Sequence, residues 1–461
     1  AAGRKKHQPP NGFTPPHSKF PLLPLNEEIR AGKQQFNRAF LVGVQIHPTP
    51  RTVVEDHLRE LEALIDTLGV EVAAVEIVRL SRPSPQLLIG SGKAEEITTR
   101  MEALECDLLV FDDDLTPPQQ SQWESKAKCA VIDRRKVIID IFAQRAQTRE
   151  ARLQVELALL EYMMPRLKSA WTHLERQRGG RGFVGGAGEA QIEIDRRLVR
   201  DRIAILKREI GDVRRHRLNQ RKQRQRRPVP TAAIVGYTNA GKSSLLNAMT
   251  KAGVLQEDKL FATLDPTTRR VTLPNNQPLL LTDTVGFIRK LPTTLIDAFK
   301  STLEEATLAD VLIHVIDISH PQAQEQYETT RAILKELGAE DKPCVVLLNK
   351  CDRLDSQATS RAIPTWIVEP AERILLTSTL NGEGLDTLAH LLGSLLNQTL
   401  AEIHLRVPAS RFDIVSVVHR EGEVLDERYD GSDVLIHALF PRQMLPQVTE
   451  WQESPTDAMA T

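Results

Sequence analysis

Only four cysteines occur in 461 residues, Cys106, Cys129, Cys344 and Cys351, with no CxxC pair and no companion histidine cluster. Neither a disulfide framework nor a zinc site is indicated, and a reducing compartment fits. No apolar run approaches the roughly 18 residues needed to cross a bilayer, and the N-terminus lacks an uninterrupted apolar stretch of signal-peptide type. Secretion and membrane spanning are disfavoured, and a cytoplasmic protein is expected. Net charge is nearly absent too, at −1, but the balance conceals an asymmetry. Residues 165–227 hold 19 Lys/Arg against 7 Asp/Glu, whereas residues 401–461 hold 11 acidic residues against 5 arginines and no lysine. A basic centre points to an anionic partner, nucleic acid first, although charge on a solvated helix is its ordinary source.

A length of 461 residues with 41% apolar content is enough for about three domains, each with a core. Residues 1–36 are proline-rich with few apolar partners, and a flexible tail is expected there rather than a transit peptide. Over 37–145 the runs AFLVGVQI, VEVAAVEIV, DLLVFDD and CAVIDR alternate with helix-like segments, which predicts a mostly parallel α/β domain. Over 146–227, Leu153, Leu157, Leu160, Met164, Leu167, Trp171 and Leu174, then Ile203, Leu206, Ile210 and Val213, repeat at helical spacing around the glycine-rich GGRGFVGGAGE. This predicts a basic helical hairpin with a glycine-rich tip, kinked at Pro165. Residues 228–400 return to strand, loop and helix. Residues 401–461 read as a small α+β domain, with strands at SVV and DVLIHALF and fraying from Pro446.

The chemistry sits in the fourth of these regions. The strand TAAIV runs into Gly236, Tyr237, Thr238, Asn239, Ala240, Gly241, Lys242 and Ser243, which satisfies G-x-x-x-x-G-K-[ST] in a strand-to-helix setting. Glycines at both ends let successive N–H groups face one anion, and the helix from Ser244 adds its positive end. Lys242 should reach the β- and γ-phosphates and the Ser243 hydroxyl a Mg²⁺ ion. A second strand ends in Asp283-Thr284-Val285-Gly286, where Asp283 can hold Mg²⁺ through water and the Gly286 N–H can meet the γ-phosphate. The tetrad Asn349-Lys350-Cys351-Asp352 then selects the base. A carboxylate at Asp352 pairs N1–H and the exocyclic amine of guanine, and adenine would leave it desolvated and unpaired. Asn349 would support N7 and the loop, Lys350 would cover the base, and Ser378-Thr379-Leu380 would offer the Thr379 N–H to O6. GTP, or its product GDP, is the implied ligand.

In this order the motifs resemble the signatures of translation-factor-type GTPases, and the finer resemblance is to the HflX family. The strings that carry it are LLIGSGKAEEI, IDIFAQRAQTREARLQVELA, WTHLERQRGGRG, GYTNAGKSSLLNAMT, FATLDPTTRRV, TDTVGFIRKLP and LNKCD. The resemblance implies an N-terminal α/β domain, a helical hairpin, a P-loop GTPase domain and a short C-terminal domain. It implies a monomeric GTPase that binds the large ribosomal subunit and its RNA and separates stalled or idle ribosomes into subunits. A GTP-dependent RNA-modifying or ribosome-assembly factor is the alternative, which no catalytic His or Cys cluster supports.

By the same resemblance Phe261 and Thr263 fall in the nucleotide-contacting segment FATLDPTT, with Thr263 on Mg²⁺ and the γ-phosphate and Thr267 or Thr268 as substitutes. Lys242, Asn239, Thr263 and Gly286 are the catalytic candidates, with Asn239 matching a loop asparagine that ligates K⁺ in related GTPases. Arg176, Arg178, Arg181, Arg196 and Arg197 are the RNA-contact candidates. The family's loop reads nearer GPGETQ, whereas here Ala187 and Ala190 stand at its proline and threonine. Phe287 follows Gly286 where many GTPases have a glutamine, and a phenyl ring cannot orient water, so slow intrinsic hydrolysis and stimulation by the ribosome are expected. Gly90-Ser91-Gly92-Lys93 reads as a plain turn before a helix, although the resemblance allows a nucleotide there.

Overall fold

The computed structural model describes residues 36–167, 187–224, 229–250, 260–261, 264–290, 305–354, 363–397 and 400–453. The proline-rich 1–35, Arg176, Arg178, Arg181, most of the glycine-rich run and Thr263 lie outside the described residues.

The first sheet arises from strand–helix alternation: β1 (Arg38–Ile46), α1 (Arg51–Leu68), β2 (Glu71–Leu80), α2 (Ser91–Ala103), β3 (Leu108–Phe111), α3 (Pro117–Ala127), β4 (Ala130–Asp133) and α4 (Arg134–Arg145). The strands run parallel in the order β2-β1-β3-β4. Phe40, Val42, Leu109 and Phe111 form one core with Ile97 of α2 and Trp123 of α3. Their neighbours Ala39, Leu41, Leu108 and Val110 are equally buried, so both faces are covered and the strands read as continuous apolar runs. Helix entries follow local chemistry. Thr116 and Gln119 form a capping box ahead of α3, and the Asp133 carboxylate accepts the Lys136 N–H at the start of α4. Gly90 simply precedes α2, and the Lys93 ammonium is held by Glu76 and Glu96 at 2.8 Å each.

Helix α5 (Arg149–Met163) packs on the 38-residue α6 (Ala187–Arg224). Leu153, Leu157 and Leu160 of α5 and Leu206 and Ile210 of α6 are buried, as the heptad spacing predicts. At Pro165 the helix is interrupted as expected: α5 stops at Met163, a 3-10 turn, Met164–Arg166, intervenes, and Leu167 is helical again. Proline has no N–H to extend the α-helical ladder. At the other end α6 begins at Ala187, inside the last residues of the glycine-rich run.

The second sheet contains β5 (Thr231–Gly236), β6 (Thr267–Thr272), β7 (Pro278–Asp283), β8 (Val311–Asp317), β9 (Cys344–Asn349) and β10 (Ile374–Leu376) in the order β10-β9-β8-β5-β7-β6. All neighbours are parallel except the edge strand β6. Helix α7 (Lys242–Thr250) follows β5, and α8 (Ala323–Glu336) and α9 (Leu385–Asn397) follow β8 and β10. After β5 the chain forms β6 and β7 on one side and then β8 on the other. This reversal opens a crevice at the carboxyl ends of the strands, where ligands bind in open α/β sheets.

The last described part is an antiparallel sheet of β11 (Leu400–Pro408), β13 (Asp433–Pro441) and β12 (Glu423–Asp430), covered by α10 (Phe412–Glu421). Here SVV is helical, not a strand. Ile414, Val415 and Val418 lie on one helical face and are buried against the sheet, so their spacing overrides β-branched propensity. Residues beyond Pro446 are also tied down as far as Glu453, whose N–H donates to the His404 carbonyl at 2.8 Å.

Candidate functional site

The phosphate loop leaves β5 at Gly236 and enters α7 at Lys242. Gly241 has φ 102°, and a Cβ there would lie 2.2 Å from Asn349 Nδ2, so both conformation and space require glycine. Tyr237, Thr238, Ala240 and Lys242 are buried, Asn239 is exposed in the left-handed region at φ 58°, and Ser244 is half-buried in the first turn of α7. Lys242 Nζ donates to the Tyr237 carbonyl at 2.6 Å. Burial pushes its ammonium down to about 8; Asp283 opposes the shift and Lys350 adds to it. A buried cation facing a backbone amide cradle is the electrostatic arrangement that an anion completes.

Asp283 ends β7, which pairs directly with β5 through Ile234 opposite Asp283, and its carboxylate is fully buried. Ser243 Oγ donates to Asp283 Oδ2 at 2.7 Å, so the two oxygen donors assigned to a metal are adjacent. Gly286 packs onto the loop: a Cβ there would lie 2.8 Å from Lys242 Nζ and 2.9 Å from Thr238 Cα. The next residue closes the contact through its backbone, with Phe287 N–H donating to Gly236 O at 3.1 Å and Thr238 N–H to Phe287 O at 2.8 Å. The Phe287 ring is buried. Thr267 and Thr268 lie in edge strand β6, opposite Asp283 and Thr282, and the Thr268 and Thr282 hydroxyls are 2.9 Å apart.

The base loop is joined to this cradle by one side chain. Asn349 Nδ2 donates to the Ala240 carbonyl at 2.8 Å, and its Oδ1 accepts the Thr379 N–H at 3.2 Å. That N–H, expected at a guanine O6, is thus directed to Asn349. Lys350 adopts φ 60° and pairs with Asp317 at 2.7 Å. The Asp352 carboxylate accepts the hydroxyl of buried Ser378 at 2.5 Å, while Leu380 is exposed. The fold therefore brings together Lys242, Ser243, Asp283 and Gly286 on one side and Asn349, Lys350, Asp352, Ser378 and Thr379 on the other. On α6, Arg197 is exposed and Arg196 half-buried.

A charged cluster beside the pocket was not legible in the motifs. Tyr237 OH donates to Glu60 at 2.5 Å and accepts the Arg289 N–H at 2.8 Å. Burial, then the Glu60 charge, raises the Tyr237 phenol far above its usual range. The Arg289 guanidinium reaches both Asp112 oxygens at 2.8 Å, Arg134 bridges Asp112 at 3.0 Å and Glu60, and Lys290 pairs with Asp113 at 2.8 Å. Runs such as DLLVFDD and GFIRK carry the charges, but their partners are 177 positions apart.

Burial alone would raise the Asp112 carboxyl, but Arg134, Arg289 and Lys290 outweigh it and hold it at about 2. A carboxyl lowered on folding stabilises the protein above its unfolded value near 4, and that contribution is lost as pH falls toward 2. It amounts to roughly 2 kcal/mol. Asp112→Asn should lower Tm at pH 6 and flatten the fall in Tm between pH 5 and pH 2.5. An unchanged acid profile in the variant would contradict the assignment.

Comparison with known proteins places the chain. Residues 55–143 match a family model described as GTP-binding GTPase N-terminal, 145–224 one described as GTP-binding GTPase Middle Region, and 231–350 one described as 50S ribosome-binding GTPase. A GTPase HflX of Akkermansia muciniphila is 45% identical over 423 residues, covering 90% of this chain and 96% of that protein. GTPase HflX of Escherichia coli is 40% identical over 393 residues, with 82% and 89% covered. A solved GTP-binding protein from the hyperthermophilic archaeon Sulfolobus solfataricus in complex with GDP is 25% identical, covers 78% of this chain and 99% of its own, and has a TM-score of 0.42. On sequence identity extending over nine-tenths of its length, the chain belongs to the HflX family of GTPases.

Proposed function

We propose that this GTPase binds the large ribosomal subunit and uses GTP to separate stalled or idle ribosomes into subunits. The observation that carries the reading is a long basic arm joined to a guanine-nucleotide pocket. Helix α6 has 38 residues and is about 57 Å long at 1.5 Å per residue, with Arg197 exposed along it. Such an arm suits a phosphate-rich RNA surface. Arg176, Arg178 and Arg181 are proposed to contact RNA near its tip.

In the pocket, Lys242 and the loop amides hold the phosphates, Gly286 meets the terminal one, and Asp352 selects guanine. Ser243 and Asp283 present hard oxygen donors 2.7 Å apart, a set that fits Mg²⁺ held directly by the hydroxyl and through water by the carboxylate. Thr263 is proposed as the third metal contact and exposed Asn239 as a K⁺ ligand. When bound there, such an ion would supply positive charge against the transferring phosphoryl group. The buried Phe287 ring cannot orient the attacking water, so hydrolysis by the isolated chain is slow. A group supplied by the partner can restore about 10³ to 10⁵ in rate.

Sedimentation of purified ribosomes with the full chain tests this reading. With a nonhydrolysable GTP analogue, co-migration with the large subunit and a shift toward free subunits are expected. Absence of both at low salt would remove it.

A further inference from the structure

Leu264 and Asp265 lead into β6, the edge strand that pairs with the strand ending in Asp283. Both Asp265 oxygens are committed to the turn between α4 and α5, outside the GTPase sheet. Oδ2 accepts the backbone N–H groups of Gln147 and Thr148 at 3.1 Å each, and Oδ1 accepts the Thr148 hydroxyl at 2.6 Å. Thr148 is in turn the N-cap of α5, its hydroxyl oxygen accepting the Ala151 N–H at 3.1 Å. A carboxylate from the nucleotide segment therefore lies at the positive end of α5, where an anion and its hydrogen bonds are most stabilising. Four residues earlier, Phe261 is buried at φ 57° and meets Phe142 of α4 edge-on, with centroids 4.6 Å apart. Both contacts converge on the same turn.

From that turn the linkage continues into the basic arm. Glu156 of α5 holds Arg202 of α6 by bonds of 2.8 and 2.9 Å, and Glu161 holds Lys207 at 2.8 Å. On the pocket side, β6 pairs Thr267 directly with Asp283. Residues 264–267 thus span the short distance between a proposed metal-binding carboxylate and the cap of α5.

We propose that Asp265 is a positioning residue that couples the nucleotide state to the helical arm by holding Thr148, the N-cap of α5. The coupling rests on the reading of this pocket as a GTP-driven switch. When the residues leading into β6 shift with the terminal phosphate, the Asp265 carboxylate shifts with them, and Thr148, the N-cap of α5, gains or loses its anchor. Linkage is reciprocal, so whatever holds the arm in one attitude also biases the nucleotide segment. Loss of a helix cap changes a local equilibrium about fivefold, enough to be read at individual amides.

Hydrogen exchange on the full chain, loaded with GDP or with a nonhydrolysable GTP analogue, tests the coupling without a ribosome. In the unmodified protein the amides of Gln147, Thr148, Ala151 and Arg152 should exchange at rates differing about fivefold between the two nucleotides. In Asp265→Ala the difference should fall below about twofold. Thr148→Val removes the partner hydroxyl without touching the pocket and should do the same with GDP affinity preserved, while Thr148→Ser should restore the difference. Equal exchange in both nucleotides, or a full difference surviving in both Asp265→Ala and Thr148→Val, would overturn the proposal. Ribosome co-sedimentation is a separate measurement. Its failure would remove the ribosomal reading and leave the coupling standing, whereas failure of the exchange difference with co-sedimentation intact would do the reverse.

Discussion

Asp352→Asn is expected to shift the nucleotide preference from guanine to xanthine. The Asp352 carboxylate is oriented by the Ser378 hydroxyl at 2.5 Å, and Ser378 is itself fully buried behind the base loop. That bond uses one lone pair and leaves the acceptor edge for a base presenting two parallel N–H donors, N1–H and the exocyclic amine of guanine. An asparagine amide keeps one acceptor but replaces the second by a donor, which opposes the exocyclic amine and instead meets the C2 oxygen of xanthine. Sites built to hydrogen-bond a substrate reject analogues with the wrong complement strongly, because buried groups are left unpaired. GTP affinity should fall by about 10²-fold or more while xanthosine triphosphate gains, as measured by equilibrium titration of both nucleotides. An unchanged preference for GTP would remove Asp352 from the base-reading role. The clamp at Asn349, made to Ala240 and Thr379, is untouched by this substitution, so loss of the fold is not expected to mimic the result.

The pocket was legible in the sequence because its chemistry is local. A phosphate cradle must be built from consecutive amides, so Gly236 to Ser243 appear as one string, and each later motif sits at the carboxyl end of an apolar strand. The parallel sheets were legible for a related reason. Strands covered on both faces, such as the stretch Ala39 to Val42, leave unbroken apolar runs. What was not legible depended on distance or on competing local signals. The run IVSVV has the composition of a strand, yet Ile414, Val415 and Val418 are placed on one side by a helix. Pro165 lies in a heptad pattern that continues through it, and the missing N–H shows as a single 3-10 turn before the helix resumes at Leu167. Glu60, Asp112 and Arg289 carry no motif, because an ion pair formed across 177 residues leaves no spacing to recognise. Asp265 was within a family string, but nothing in FATLDPTT indicates that its partner is Thr148, 117 residues earlier.

Gly286→Ala should separate nucleotide binding from hydrolysis. A Cβ at this position would approach Lys242 Nζ to 2.8 Å and Thr238 Cα and Cγ2 to 2.9 Å. The lysine head could swing aside, since it is the end of a flexible chain. Thr238 Cα could not, because its residue is anchored by its own N–H on the Phe287 carbonyl at 2.8 Å. The methyl group must therefore push the Gly286 backbone away from the phosphate loop, withdrawing the N–H proposed to meet the terminal phosphate. GDP makes no use of that donor, so its affinity should stay within about threefold of the unmodified chain, whereas loss of one preorganised donor in a phosphoryl-transfer site costs on the order of 10²- to 10³-fold in rate. Single-turnover hydrolysis and parallel titrations with GDP and a nonhydrolysable GTP analogue read both effects. Hydrolysis within threefold of the unmodified chain would mean that the Gly286 N–H is not part of the reaction. The displacement also has a direction set by the structure. Three residues further on, Arg289 is fixed to both oxygens of Asp112, so the segment cannot relax along its length and must bow outward between Asp283 and Arg289. The substitution therefore changes a stretch that touches the phosphate loop at its start and the N-terminal α/β region at its end, and its effect should fall on the state carrying the third phosphate.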